Sequence, residues 1–187
     1  QDNDASNNID FTGLRKFEDT IIGSEEISIS GYLRSILSAD APKDWSGFEV
    51  EVTGGMVPVV GKSSALTDSE GFFFIEGIEK NISYTVNIKK KGYLSRKIEI
   101  VNENENIMVG TAEKPIEMWI GDIDEDGAIN MADIVKVATK FNKIKGDELF
   151  NADFDLNKDN AINMIDIMII AKHFNSIMEN YPEAEIK

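Results

Sequence analysis

At 187 residues the chain has room for one or two small domains, and its formal charge of −15 at pH 7 argues against nucleic acid and anionic membrane surfaces as partners. Cysteine is absent, which excludes disulfides, zinc–thiolate sites and thiol nucleophiles and leaves the redox compartment open. No apolar run reaches the roughly 18–20 residues of a bilayer-spanning helix, so membrane insertion is not expected.

The chain opens on Gln1 rather than Met, which reads as an excised or processed piece of a larger protein. Residues 1–24 begin with a polar Asn/Asp tract that buries too little apolar surface to offset its ordering entropy, and a linker is expected there. Phe11, Leu14, Phe17, Ile21 and Ile22 suit its later part to a short amphipathic turn or an edge strand.

From 25 to 117 short alternating runs are separated by Gly, Asn, Asp and Pro, which predicts an antiparallel β-sandwich. Strands are expected at 27–33, 48–53, 72–75, 84–88 and 96–101. The turn Thr67-Asp68-Ser69-Glu70-Gly71 predicts a hairpin into Phe72-Phe73-Phe74, with Gly71 at positive φ. Ser30-Gly31-Tyr32, then Thr67-Asp68 with Gly71-Phe72-Phe73, then Gly92-Tyr93, resembles the carboxypeptidase-regulatory-like, transthyretin-like sandwich family. This segment has no His or Cys and no carboxylate pair beside a nucleophile or base, so catalysis is not expected in it. Trp45 and Tyr93 are the aromatics a sugar-stacking platform would use, and they are read as core or rim residues.

Pro115 bars an ordinary helix interior, and no helical period runs from Pro115 to Ile120. Gly121 to Asp133 then reads GDIDEDGAINMAD. Counting Asp122 as position 1, Asp124 falls at 3, Asp126 at 5, Gly127 at 6, Asn130 at 9 and Asp133 at 12, the spacing of an EF-hand-type calcium loop. Asp155, Asn157, Asp159, Asn163 and Asp166 repeat positions 1, 3, 5, 9 and 12, with Asn160 at the sharp turn, where Asn tolerates left-handed backbone. Position 7 supplies a carbonyl, here from Ala128 and Ala161. Two calcium ions are therefore expected, one held by Asp122, Asp124, Asp126, Ala128, Asn130 and Asp133, the other by Asp155, Asn157, Asp159, Ala161, Asn163 and Asp166. Surface acidity in turns is the bland alternative, and two complete ligand sets in one register weigh against it. Without metal the first loop's carboxylates would repel at roughly 4 kcal/mol per pair at about 4 Å and an effective dielectric near 20, so folding should be coupled to binding.

Behind the first loop Ile134, Val137, Ala138 and Phe141 recur at helical spacing, which predicts a helix over 133–142. A short connecting helix is expected at 145–151 around Leu149 and Phe150, followed by a second loop–helix unit. Aligned with 159–175, the segment 126–142 is identical at ten of seventeen positions, so the unit is an internal duplication. The helix that enters a complete EF-hand is missing from both copies.

Two such half EF-hands (F-hands) in tandem, the first introduced by Gly-Asp, strongly resemble a dockerin, the calcium-dependent adhesion module of cellulosomes. The preceding sandwich then resembles the X module that accompanies type II dockerins at scaffoldin C-termini. The resemblance implies an all-β, immunoglobulin/transthyretin-like X module at 25–117, a small all-α dockerin with two EF-hand-like repeats at 118–178, and a tail at 179–187. It also implies a noncatalytic, secreted, extracellular module whose dockerin binds a type II-like cohesin in a calcium-dependent way at a cellulosome or cell-surface anchor, stabilised by the X module.

Ile129 and Ile162 should bridge the loops and join a core with Ile134, Phe141, Ile167, Ile170, Ala171 and Phe174. That leaves Met164, Ile165, Met168, Ile169 and Lys172 as a partner face, with Met131, Ala132, Val135 and Lys136 its smaller counterpart on the first helix. Met-Ala and Met-Ile at positions 10 and 11 lack the hydroxyl pair common in type I dockerins, which points to a type II-like cohesin. The duplication raises the possibility of two docking orientations, and the sequence departures between repeats argue against their equivalence. His173 is read as a rim residue without a role, and Ile177, Met178 and Tyr181 are candidates to clamp the tail. The alternatives are a calcium-binding adhesion fragment with a carbohydrate-binding β-sandwich, and a calcium sensor, which needs complete helix–loop–helix pairs that open.

Overall fold

Side chains that alternate in polarity bury one face of a strand and leave the other to solvent, and β1 (Glu26–Arg34) follows that rule, burying Ile27, Ile29, Gly31 and Leu33. A computed structural model describes residues 26–35, 44–54, 64–101 and 104–187; the expected linker and its turn or strand around Phe11 to Ile22 lie outside the described residues. Seven further strands follow in the sandwich segment: β2 (Glu49–Gly54), β3 (Ser64–Leu66), β4 (Phe72–Glu79), β5 (Tyr84–Lys89), β6 (Arg96–Ile100), β7 (Ile107–Val109) and β8 (Ile116–Glu117). One sheet places β1 between antiparallel β4 and parallel β7, with β8 parallel to the end of β1; the other runs β3-β2-β5-β6, antiparallel throughout.

The expectation of a wholly antiparallel sandwich is thus corrected. The chain leaves β6 in the second sheet and returns to the first as β7, alongside β1 and in its direction. Ile29, Leu33, Phe73, Ile78 and Val109 from the first sheet meet Phe48, Val50, Val86, Ile88 and Ile100 from the second, each at most 1% exposed. Burying a side chain of this size contributes roughly 1.5–3 kcal/mol, so this layer is the main source of the sandwich's stability.

The Thr67–Gly71 turn also differs from expectation. It is a corner between sheets, because β3 pairs with β2 while β4 pairs with β1. The Asp68 carboxylate accepts the Glu70 and Phe72 N–H groups, both at 2.9 Å, and Gly71 takes φ +81° as expected. A Cβ on Gly71 would collide with the Leu33 carbonyl oxygen, so both its conformation and its neighbour require glycine. Trp45 and Tyr93 pack at the edge of the core, as read from the sequence.

After β8 the chain is stitched to the sandwich as it approaches the first acidic loop. Met118 donates its N–H to the Arg34 carbonyl at 2.8 Å, Leu94 to Trp119 at 2.8 Å and Gly121 to Gly92 at 2.9 Å. Beyond it come β9 (Ala128–Ile129), α1 (Met131–Ala138), β10 (Lys143–Ile144), β11 (Ala161–Ile162), α2 (Met164–Lys172), β12 (Ser176–Ile177) and a 3-10 turn at Met178–Asn180. This part is therefore not all-α: it has two short helices and two two-stranded ladders, β10 with β11 and β9 with β12.

The helices are short for a local reason. Asn142 and Asn175 sit at φ +60° and +66°, which ends each helical path and turns the chain into a strand. The expected connecting helix at 145–151 does not form either. Gly146 lies at φ +108°, and Lys145 gives its N–H to the Asn160 carbonyl at 2.9 Å instead of to a helical turn.

A second core gathers Ile120, Ile123, Ile129, Val137, Leu156, Ile162 and Ile170, and it includes Leu94 from the sandwich segment. The tail pairs back on the first sheet: Met108 and Lys187 exchange N–H to carbonyl bonds of 2.7 and 2.9 Å, and Ile186 lies opposite Val109. This covers the free side of β7, a sheet edge that otherwise invites pairing with other chains.

Candidate metal centres and partner face

Gly121 introduces the first loop at φ +140°, and a Cβ there would come within 3.0 Å of Ile129. The tight approach lets Asp122 start its loop against the second core, where it is 3% exposed. One oxygen from each of Asp122, Asp124 and Asp126 lies within 4.8 Å of the others. Asp122 Oδ1 and Asp124 Oδ1 are buried without a hydrogen-bond partner.

Burial raises the Asp122 carboxyl to about 6, with the Asp133 and Asp126 carboxylates adding to the shift and a bond from the Gly127 N–H opposing it. Orphaned, mutually repelling carboxylate oxygens are costly unless a cation joins them. The donors are all oxygen, which suits a hard divalent cation such as calcium.

Asp133, at position 12, stands outside that group of three. It is fully buried, with Oδ1 accepting the Ile123 and Asp124 N–H groups at 2.7 and 3.2 Å and Oδ2 accepting the Asn130 N–H at 2.7 Å. Asn130 caps α1 by accepting the Ala132 N–H at 2.7 Å, so positions 9 and 12 together form a capping box. The same two residues thus shape the loop and start the helix.

The second loop repeats the backbone plan with less charge. Asp155 accepts the Asp159 and Asn160 N–H groups at 3.1 and 2.9 Å, Asp166 accepts those of Leu156 and Asn163 at 2.7 and 2.8 Å, and Asn163 caps α2. Asn160 takes φ +70° at the sharp turn, as Gly127 takes +89° in the first loop. Among the described residues no second group of three acidic donors forms, because position 3 is Asn157. Its amide donates to Asp159 Oδ2 at 2.8 Å, the main reason the Asp159 carboxyl lies below its ordinary range. Burial, in contrast, pushes Asp166 upward. Ala128 lies in β9, paired with β12, and Ala161 in β11, paired with β10.

The side chains of the two helices divide by burial. Ile129 and Ile162 are fully buried, Ile134 and Ile167 half-buried, and Met131, Ala132, Val135, Lys136, Met164, Ile165, Met168 and Lys172 exposed, Met168 to 63%. Three residues differ from their expected core positions: Ala171 is exposed, as are Phe141 and Phe174, because the chain turns at Asn142 and Asn175 before these rings can lie inward. Ile169 is half-buried against the second core and offers the surface only part of its side chain.

The joint between sandwich and loops was not legible as a site. Trp119 is stacked between His173, at 4.4 Å, and Tyr181, at 4.2 Å between ring centroids. Arg96, 3% exposed, donates to the Glu117 carbonyl at 2.8 Å and the Pro182 carbonyl at 2.6 Å, and lies over the Tyr181 ring. The sequence signal here is Tyr181 as a candidate to clamp the tail; Arg96 is only the first residue of an alternating strand pattern, which carries no partner information.

The family model described as dockerin type I domain matches residues 120–175. Cellulosomal-scaffolding proteins B and A of Acetivibrio thermocellus are each 38% identical over 136 residues, which is 71% of this chain but only 17% and 7% of those proteins. Two crystal structures of type II cohesin-X-dockerin complexes from Acetivibrio cellulolyticus, an N-terminal and a C-terminal interface mutant, match with TM-scores of 0.72 and 0.70 at 37% identity. Each match covers 83% of this chain and 99% of the other. Dockerin domains bind calcium, and the cluster of Asp122, Asp124 and Asp126 fits that chemistry. With 37% identity to an X-dockerin chain that it covers to 99%, and a dockerin model matched over 120–175, this chain belongs to the X module–dockerin family of cellulosomal proteins.

Proposed function

We propose that this chain is a noncatalytic adhesion module that binds a type II-like cohesin in a calcium-dependent way and so attaches its parent protein to an extracellular cellulosome or cell-surface anchor. The observation that carries the reading is the pair of exposed apolar helix faces, Met131 with Val135 and Met164 with Ile165 and Met168, set directly behind two calcium-type loops. A solvated helix gains nothing from such side chains, whereas an interface core does. The likeness to chains solved in type II cohesin complexes supports the choice of partner and of type.

Two calcium ions fill the loops in this reading, one on Asp122, Asp124, Asp126, the Ala128 carbonyl, Asn130 and Asp133, and one on Asp155, Asn157, Asp159, the Ala161 carbonyl, Asn163 and Asp166. The ions neutralise the loop carboxylates and fix the first turn of each helix, which presents the partner face. The X module occupies 25–117 and the dockerin 118–178, with a linker before and a tail after. Leu94 in the second core and the bonds from Arg96 support a stabilising role for the X module.

Titration calorimetry of the whole chain against a type II and a type I cohesin, each with calcium and with chelator, tests this. Binding to the type II cohesin that disappears with chelator is expected. Binding unchanged by chelator, or confined to the type I cohesin, would reject the reading.

A further inference from the structure

We propose that the two calcium loops are coupled crosswise, each helix exit bracing the opposite loop, so that the ions bind with positive cooperativity. The inference rests on the calcium-binding reading above. The chain leaving α1 does not return to its own loop. Asn142 turns it at φ +60° and donates its N–H to the Ile162 carbonyl at 2.8 Å, and β10 then lays Lys143 opposite Ile162 and Ile144 opposite Ala161. The second repeat mirrors this: Asn175, at φ +66°, donates to the Ile129 carbonyl at 2.7 Å, and β12 lays Ser176 opposite Ile129 and Ile177 opposite Ala128. Ala128 and Ala161 are the residues whose carbonyls fill position 7.

Each loop in turn controls its own helix. Asp133 and Asp166 stand at position 12 and at the third residue of their helices, closing capping boxes with Asn130 and Asn163. Helices of eight and nine residues are too short to persist without such anchors. An ion in the first loop therefore fixes α1, α1 fixes Asn142 and β10, and β10 holds position 7 of the second loop; the reverse path runs through α2, Asn175 and β12. Ile129 and Ile162, both fully buried in one core, sit at the crossing points. The helices are the elements that both ions bias, and the linkage is reciprocal.

The test is calcium titration of the full chain by calorimetry, with amide hydrogen exchange read at Asn142 and Asn175. Wild type should take up two ions cooperatively. Asn142→Val touches no ligand and lies in the first repeat, yet a β-branched residue resists this backbone conformation. It should lower calcium affinity at the second loop about fivefold or more, the usual lower bound for coupled sites, and abolish cooperativity, while Asn142→Gly restores both. Asp159→Ala, which removes a ligand of the second loop, should speed exchange at Asn175 and weaken the first loop. Two ions binding independently to wild type, or an Asn142→Val isotherm equal to wild type, overturns the coupling and leaves calcium binding intact. A wild-type chain that takes up no calcium overturns both.

Discussion

The Tyr181 hydroxyl donates to the Leu94 carbonyl at 2.8 Å and accepts the Trp119 N–H at 2.9 Å, so one phenol oxygen joins the tail, the sandwich and the approach to the first loop. Burial pushes this phenol well above the ordinary tyrosine range, so it remains a donor at any working pH. Tyr181→Phe keeps the stack on Trp119 and the Arg96 cation over the ring, and removes only the two bonds. Leaving a buried donor and acceptor unpaired costs about 1–3 kcal/mol. The thermal midpoint of the calcium-loaded chain should fall by about 2–12 °C. A midpoint within 1 °C or so of wild type would show that the joint does not depend on this oxygen.

The two ligand sets differ by one carboxylate, Asp124 against Asn157 at position 3, and calcium affinity in such loops follows ligand charge. The first loop should bind more tightly. Asp124→Asn should bring its affinity toward that of the second loop, a loss of about tenfold or more, since a unit charge at about 4 Å is worth up to about 4 kcal/mol per opposing charge at an effective dielectric near 20. The substitution keeps an oxygen at position 3, so helix content at saturating calcium should be unchanged. Calorimetric titration decides it. An unaltered first constant would mean that the orphaned Asp124 oxygen is not a ligand.

His173 is the single histidine, so its titration is read by NMR without assignment ambiguity. Burial under Trp119 and the nearby Lys172 hold it below the ordinary 6.5, against the opposing pull of Glu117 at 3.9 Å. Its neutral form is therefore the one the fold prefers. The stability it contributes is present above about 6.5 and is lost as pH falls through the depressed folded value. A folded-state pKa at or above 6.5 with calcium saturating would contradict the stacked placement.

What the sequence revealed, and what it hid, divides by distance along the chain. The acidic cluster of Asp122, Asp124 and Asp126, Gly71 at positive φ, and the buried Ile129 and Ile162 were legible because each is fixed within a dozen residues. The parallel return of β7, the corner at Asp68 and the crossed ladders were not, since pairing partners leave no mark in a local period. Helix ends failed at Asn142 and Asn175, where apolar spacing continues to Phe141 and Phe174 but left-handed backbone stops the helix. Trp119, Arg96 and Tyr181 meet only in three dimensions; of these, Tyr181 alone was suspected of clamping the tail.

The partner face is asymmetric, and the asymmetry sets the last prediction. α2 presents Met164, Ile165 and Met168, 56%, 46% and 63% exposed, whereas the first helix offers Met131 and Val135 beside Ala132 and Lys136. If both helices contact a type II cohesin, a charge in the larger apolar patch costs more. Met168→Asp should reduce affinity at least about 30-fold, the scale of a hot-spot residue, and Val135→Asp by a smaller factor. Neither should change calcium uptake, and both should move stability by only about 0.5 kcal/mol, because the side chains are exposed in the free chain. Equal losses at the two positions would argue for a symmetric docking mode, and a loss of folding at Met168 would place that side chain in a core it does not reach in this structure.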